Sequence, residues 1–267
     1  MRETEALKFH FRAILDELRQ FRDAWTLIDV GAGAGDLLIG AERLGIANPS
    51  WEYIAVQEDP KAVLLDRVTR SREEGRIASS SRIVARLEDC PSPWDATVFA
   101  NTCHALPLER LAEWLAIALQ GLRRRSSSQC VVHEVEVLRR GEHGYVIWDS
   151  KDFQEVCAAI PGIAVMERPY PRDKGVPIHT TLLRRNTEHE LPMNLASQLL
   201  AGFLARLHPK LRDLLRKREE LGRKGDIGGS TMRERLRQRS YAFVSEQCSN
   251  IVAIRERLAG GAGDQDP

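Results

Sequence analysis

The sequence predicts an α/β fold, a doubly wound, mainly parallel seven-stranded sheet with an antiparallel last strand, plus a C-terminal helical extension. Three observations predict it. Short apolar runs alternate with helical segments of 10 to 18 residues from residue 25 to about residue 138, and each parallel strand pair needs such a crossover. Between the last two apolar runs, 163–171 and 176–185, stands only "RDKG". That is too short for a parallel crossover, so the two runs pair as an antiparallel hairpin. From "NTEHELP" onward the pattern changes to long helices. The chain therefore divides into an N-terminal amphipathic helix (1–24), an α/β domain (25–186), a helical hairpin (187–258) and a disordered tail (259–267).

Taken in order, residues 4–24 place Leu7, Phe11, Ile14, Leu15, Leu18 and Phe21 on one helical face, the mark of an amphipathic helix. "TLIDV" is a first strand, and "GDLLIGAERLG" a helix that Gly45 ends. "WEYIAV" (51–56) is a second strand, followed by a helix with Pro60 in its first turn and Gly75 at its end. "SRIVARL" (81–87) and "DATVFAN" (95–101) are the third and fourth strands, 108–125 a helix with an apolar stripe, and "QCVVHEVEVL" (129–138) the fifth strand. Residues 149–162 form a helix before the terminal hairpin. The extension consists of helices over about 191–222 and 230–258, split by the glycine-rich "GRKGDIGGS".

Composition narrows the function classes. An apolar content of 43% fills a core, and no run approaches the roughly 20 apolar residues that span a bilayer. The N-terminus lacks the basic-then-apolar order of a signal peptide, so a cytoplasmic protein with no membrane association is expected. Five scattered cysteines include no Cys-x-x-Cys pair, so buried thiols are expected and no metal site. The net charge of +1 gives no whole-chain argument for nucleic acid. Locally, residues 206–239 carry twelve Lys or Arg against five acids, either a solvated helix surface or a face for nucleic acid or an acidic partner.

"TLIDVGAGAGDLL" (26–38) carries the chemistry. Asp29 ends an apolar strand, Gly31, Gly33 and Gly35 follow on alternate positions with Ala32 between, and a helix opens at about Asp36. Backbone N–H groups of such a turn and of the helix start converge on the crevice beyond the strand ends. Glycine lets a ligand approach the backbone and permits positive φ. The plain alternative is a strand-to-helix turn with no ligand. A dinucleotide-binding oxidoreductase would want Gly-x-Gly-x-x-Gly, and here the third glycine comes one residue early.

"LIDVGAGAG" resembles the first motif of the class I S-adenosylmethionine-dependent methyltransferases, in which the acid and the glycines hold the methionine part of the cofactor. The resemblance covers about residues 25–185. It implies that the end of the second strand, "YIAVQEDP", takes the ribose hydroxyls. Gln57 stands there in place of the usual acid, and Glu58 is the alternative one residue on. "RLEDCP" resembles the adenine-binding segment, with Glu88 and Asp89 as candidates and Asp89 preferred. "WDATVFANTCHALP" resembles the fourth motif, placing Asn101, Thr102 and His104 around the sulfonium. His104 is the side chain there able to take a proton near neutral pH, and a histidine packed against its loop is the plain alternative. His133 and Glu134, near the end of the fifth strand, either meet the acceptor or reflect ordinary alternation.

The implied reaction is methyl transfer from S-adenosylmethionine to an acceptor that the sequence leaves unnamed. A small molecule is favoured, and RNA or protein stays open. The Asn/Asp-Pro-Pro-aromatic segment of base or amide nitrogen methylation is absent. A second reading is a catalytically silent relative that binds a protein partner, or itself, through residues 191–258, and Gln57 is the feature favouring it.

Overall fold

The computed structural model describes residues 11–21, 24–135, 146–168, 178–186, 188–223 and 232–260. Its strands are β1 (Trp25–Val30), β2 (Trp51–Val56), β3 (Arg82–Val84), β4 (Ala96–Ala100), β5 (Gln129–Val135), β6 (Ile163–Glu167) and β7 (Ile178–Arg185). They form one seven-stranded sheet in the order β3-β2-β1-β4-β5-β7-β6. The first five run parallel, and β7 enters antiparallel between β5 and β6. The strand order reverses between β1 and β4, where an open α/β sheet leaves a crevice at the carboxyl ends of its strands.

Near-continuous burial along β1, β2 and β4 is what a parallel sheet covered on both faces requires. One face carries α1 (Arg12–Leu18), α2 (Asp36–Arg43) and α3 (Ala62–Glu73). Their Leu15, Leu18, Leu38 and Leu64 pack on Trp25, Leu27 and Tyr53. The other face carries α4 (Leu108–Gly121), α5 (Ser150–Cys157), α6 (Leu195–Arg223) and α7 (Met232–Gly260). There Phe203 of α6 and Ile251 of α7 share one core with Ile28, Phe99 and Val132 of the sheet. The helical hairpin is thus built into the sheet's core rather than hung beside it.

Several boundaries differ from those the sequence predicts. α3 opens at Ala62 after an extended Lys61, so Pro60 precedes the helix instead of lying in its first turn. The third strand shortens to Arg82–Val84, and Leu87–Asp89 winds into a 3-10 turn. α4 stops at Gly121 because Leu122 turns extended and bridges to Trp94. α7 runs through Gly260, so the predicted tail begins within a helix. Most of the leading helix, the end of the fifth strand, the hairpin turn, most of the glycine-rich break and residues 261–267 lie outside the described residues.

A buried ionic cluster fixes α6 to α5. Asp149 caps α5 in a reciprocal box with Asp152. Asp152, fully buried, accepts from Arg206 Nε at 2.7 Å and from Lys210 Nζ, both on α6. Lys210 also lies over the Trp148 ring, which packs on Phe203 at 4.8 Å. From α7, Gln247 accepts the Ile147 N–H at 2.8 Å. Both helices therefore grip residues 147–149, which follow β5. All five cysteines are buried, and burial pushes the Cys90 and Cys157 thiols up to about 12. No helix among the described residues is long and apolar enough to cross a membrane.

Candidate functional site

Three backbone hydrogen bonds extend the ladders one residue past the strands and make the crevice edge rigid. Gly31 N–H donates to Val56 at 2.9 Å, Gln57 N–H to Val84 at 2.9 Å, and Asn101 N–H to His133 at 2.7 Å. The first residues beyond β1, β2 and β4 are therefore tied by backbone bonds to the neighbouring strands. Asn101 takes φ 53°, a left-handed conformation uncommon outside glycine.

The glycine turn has a filled side and an open side. At Gly31 (φ 70°) a Cβ would lie 2.5 Å from Thr102 Oγ1. The Thr102 hydroxyl shares its proton between the carbonyls of Val30 at 3.0 Å and Ala100 at 3.1 Å, closing the floor between β1 and β4. At Gly33 (φ 58°) a Cβ would meet only Gly31 O at 3.8 Å, so the exposed side of the turn is space that a ligand can enter. Gly35, also left-handed, precedes α2. Arg67 of α3 ties the turn down from behind, donating to the Ala34 carbonyl and to Asp36 at 3.1 Å. Ala32 is buried beneath the turn.

Asp29, near the carboxyl end of β1, is buried. It is 2% exposed and accepts the Tyr53 hydroxyl at 2.6 Å. Burial, with Asp36 adding a smaller push, raises its carboxyl to about 7 despite the opposing effect of the Tyr53 bond. Gln57 reaches the turn directly, its Oε1 accepting the Gly33 N–H at 3.1 Å. Glu58 is exposed and faces no described partner. Glu88 and Asp89, both exposed, lie on the 3-10 turn, where Glu88 pairs with Arg110 of α4 at 3.3 Å.

Opposite the turn, Cys103–Ala105 forms a second 3-10 turn. Its His104 Nδ1 lies 2.5 Å from Glu134 Oε2, while Glu134 Oε1 accepts the Cys103 N–H at 2.8 Å. Glu134 is fully buried and His104 is 7% exposed. His133, one residue back, points to the other face and meets Thr180 Oγ1 at 2.9 Å. The sequence offers both β5 side chains to an acceptor. In the fold one orients His104 and the other braces β7.

Four contacts of this site were not legible in the sequence: Glu134 with His104, Tyr53 with Asp29, Arg67 with the turn, and Thr102 with Gly31. Alternation along β5 does signal that His133 and Glu134 face opposite ways. Asp95, the acid opening the fourth-motif segment, sits at the far end of the sheet. It accepts the Thr26 N–H at 2.9 Å and pairs with Arg123 at 3.2 Å.

The seven-stranded, mainly parallel sheet with an antiparallel last strand is the fold class that the sequence predicts. No family model and no curated protein matches the sequence. Among solved structures, an O-methyltransferase of neocarzinostatin biosynthesis (NcsB1), in complex with S-adenosylmethionine and 2-hydroxy-5-methyl naphthoic acid, aligns with a TM-score of 0.49. It is 16% identical over 68% of this chain and 55% of its own. Magnesium protoporphyrin IX methyltransferase (ChlM) from Synechocystis PCC 6803 aligns with a TM-score of 0.47 and 11% identity, over 67% of this chain and 78% of its own. A SAM-dependent methyltransferase from Aquifex aeolicus aligns with a TM-score of 0.47 and 15% identity, over 68% of this chain and 93% of its own. The chain spans about half the length of NcsB1 and of the pyocyanin biosynthetic protein PhzM, 55% in each case.

Proposed function

We propose that this protein is an S-adenosylmethionine-dependent methyltransferase. The observation that carries the reading is the open side of Gly33, set in a left-handed turn at the strand-order reversal, with Gln57, Asn101 and Thr102 around it. The residues present fit the cofactor: the open side of Gly33 leaves the backbone approachable, Gln57 would meet the ribose, and Glu88 or Asp89 would meet the adenine. When bound, the cofactor supplies a methyl group activated by the sulfonium. The chain's own part is positioning and exclusion of water, because methyl transfer needs an in-line approach.

His104 is the general base of this proposal. Glu134 at Nδ1 favours the tautomer protonated there and leaves Nε2 as the basic nitrogen. A hydroxyl acceptor would give its proton to that nitrogen as its oxygen takes the methyl. A small-molecule acceptor is favoured. Support for RNA weakens because Arg206 and Lys210, two cations of the basic stretch, are buried in ion pairs.

Incubating the full chain with methyl-labelled cofactor and fractionated small molecules or RNA tests the activity. Label should move to one fraction, and the transfer should fall steeply in Glu134→Gln, which keeps its shape and loses its charge. Label that never leaves the cofactor in any fraction would count against an enzyme.

The second reading, a silent fold that binds a partner, is favoured by Gln57, a neutral side chain whose oxygen is already taken by Gly33. Gln57→Asp separates the two. In an enzyme a carboxylate that accepts ribose hydroxyls tightens cofactor binding about tenfold. In a silent fold neither the native chain nor the variant binds it.

A further inference from the structure

A cavity opens on the surface between α2 and α3. It has a volume of about 440 Å³. Four arginines line it: Arg43 from α2, Arg67 and Arg70 from α3, and Arg76 just beyond α3. The one acid in its wall, Glu42, has both oxygens committed, one to the Ser71 hydroxyl and the other to Arg76 at 3.3 Å. The remaining counter-charges stand outside the wall. Asp36 meets Arg67 at 3.1 Å, Asp66 meets Arg70 at 2.8 Å, and Glu74 meets Arg76.

Each of those contacts uses a single terminal nitrogen, whereas a guanidinium carries five N–H donors. Arg67 spends Nη1 and Arg70 spends Nη2. Among the described residues none accepts from Arg43. The wall itself therefore holds four arginines against one acid, Arg76 is committed at both terminal nitrogens, and unspent donors of Arg43, Arg67 and Arg70 face the cavity from two helices. Leu38 and Ile39 supply apolar lining.

We propose that this cavity is a binding site for a compact phosphate-bearing anion of the di- or triphosphate class. One carboxylate is satisfied by a single guanidinium fork. Three forks around one cavity match the several oxygens of linked phosphates, which accept from more than one arginine at once. A cavity of this volume falls in the range of small-ligand sites. Helical walls of low dielectric focus the field of the arginines into it. The site is distinct from the glycine turn, although Arg67 touches both, and it does not depend on the cofactor reading.

The test is calorimetry of the full chain with pyrophosphate at low salt. The native chain should bind one equivalent. Arg43→Gln and Arg70→Gln, two exposed changes that leave the glycine turn untouched, should each weaken binding by about tenfold with unaltered melting curves. Arg43→Lys keeps the charge and loses the fork, and it should fall between the two. Competition then identifies the source. Displacement by ATP marks a free nucleotide and supports the site, whereas displacement by single-stranded RNA alone would overturn the di- or triphosphate assignment. No binding of pyrophosphate would overturn it. So would binding that both arginine variants leave intact, or binding lost in Gly33→Val but kept in those variants.

Discussion

Gly31 and Gly33 share a left-handed backbone, yet an added methyl meets Thr102 at one and almost nothing at the other. In Gly31→Ala the strained φ, worth roughly 1–2 kcal/mol, adds to displacement of the Thr102 hydroxyl from the Val30 carbonyl. Gly33→Ala carries the φ cost alone. Thermal unfolding should therefore show the larger loss at Gly31, and equal losses would mean that Thr102 does not close the floor. Asp29 supplies a pH signature. Its carboxyl is raised to about 7 in the fold from an ordinary value near 3.8, so between those values the folded chain holds a proton that the unfolded chain has released. That contribution to stability is complete at acid pH below the ordinary value and is lost as pH rises through about 7. Asp29→Asn keeps an acceptor for Tyr53 and removes the charge. Melting at pH 8 should be higher in the variant by a few degrees, and the gap should narrow at pH 5. A gap that is the same at both would show that Asp29 does not titrate in this window. The glycines were legible because alternate glycines after an apolar run need only local sequence. The bond from Tyr53 to Asp29 was not, because Tyr53 comes from the next strand.

Among the elements, α6 shows what periodicity reveals and what it hides. Its stripe of leucines places the helix against a core, and Leu199, Phe203, Leu207 and Leu211 are indeed buried. Leu204 and Leu215, which stand at helical spacing with those residues in the sequence, are 37% and 36% exposed. Arg206 and Lys210 sit inside the stripe at helical spacing, one residue before Leu207 and Leu211, and are buried with Asp152. Charged side chains that complete an apolar stripe are a readable signal of a buried partner, but the partner's identity, 54 residues away, is not local. Asp152→Ala takes from buried Arg206 and Lys210 the carboxylate they share and removes one half of the α5 capping box, the bond from the Asp149 N–H. It should lower unfolding free energy by about 3–5 kcal/mol in denaturant titration. A loss below about 1 kcal/mol would show the cluster to be solvated.

Across the whole molecule, the alternation of strands and helices predicted the sheet, and the short link before β7 predicted its antiparallel end. The place of β7 between β5 and β6 was not written in any one segment, because it depends on pairing β5 with residues about 50 positions away. The same holds for the extension. Its helices read as an appendage, and the fold gives them one core with the sheet. A chain ended at residue 186 would uncover Trp148, Phe153 and Val156 and should fail to unfold cooperatively, whereas a sharp melting transition in it would mark the hairpin as independent.

The central claim is that the open side of the glycine turn holds S-adenosylmethionine, and calorimetry of the full chain with that cofactor tests it most directly. The account predicts saturable binding at one site, abolished in Gly33→Val while the melting transition persists. No detectable binding at millimolar cofactor, or binding that Gly33→Val leaves unchanged, would contradict it.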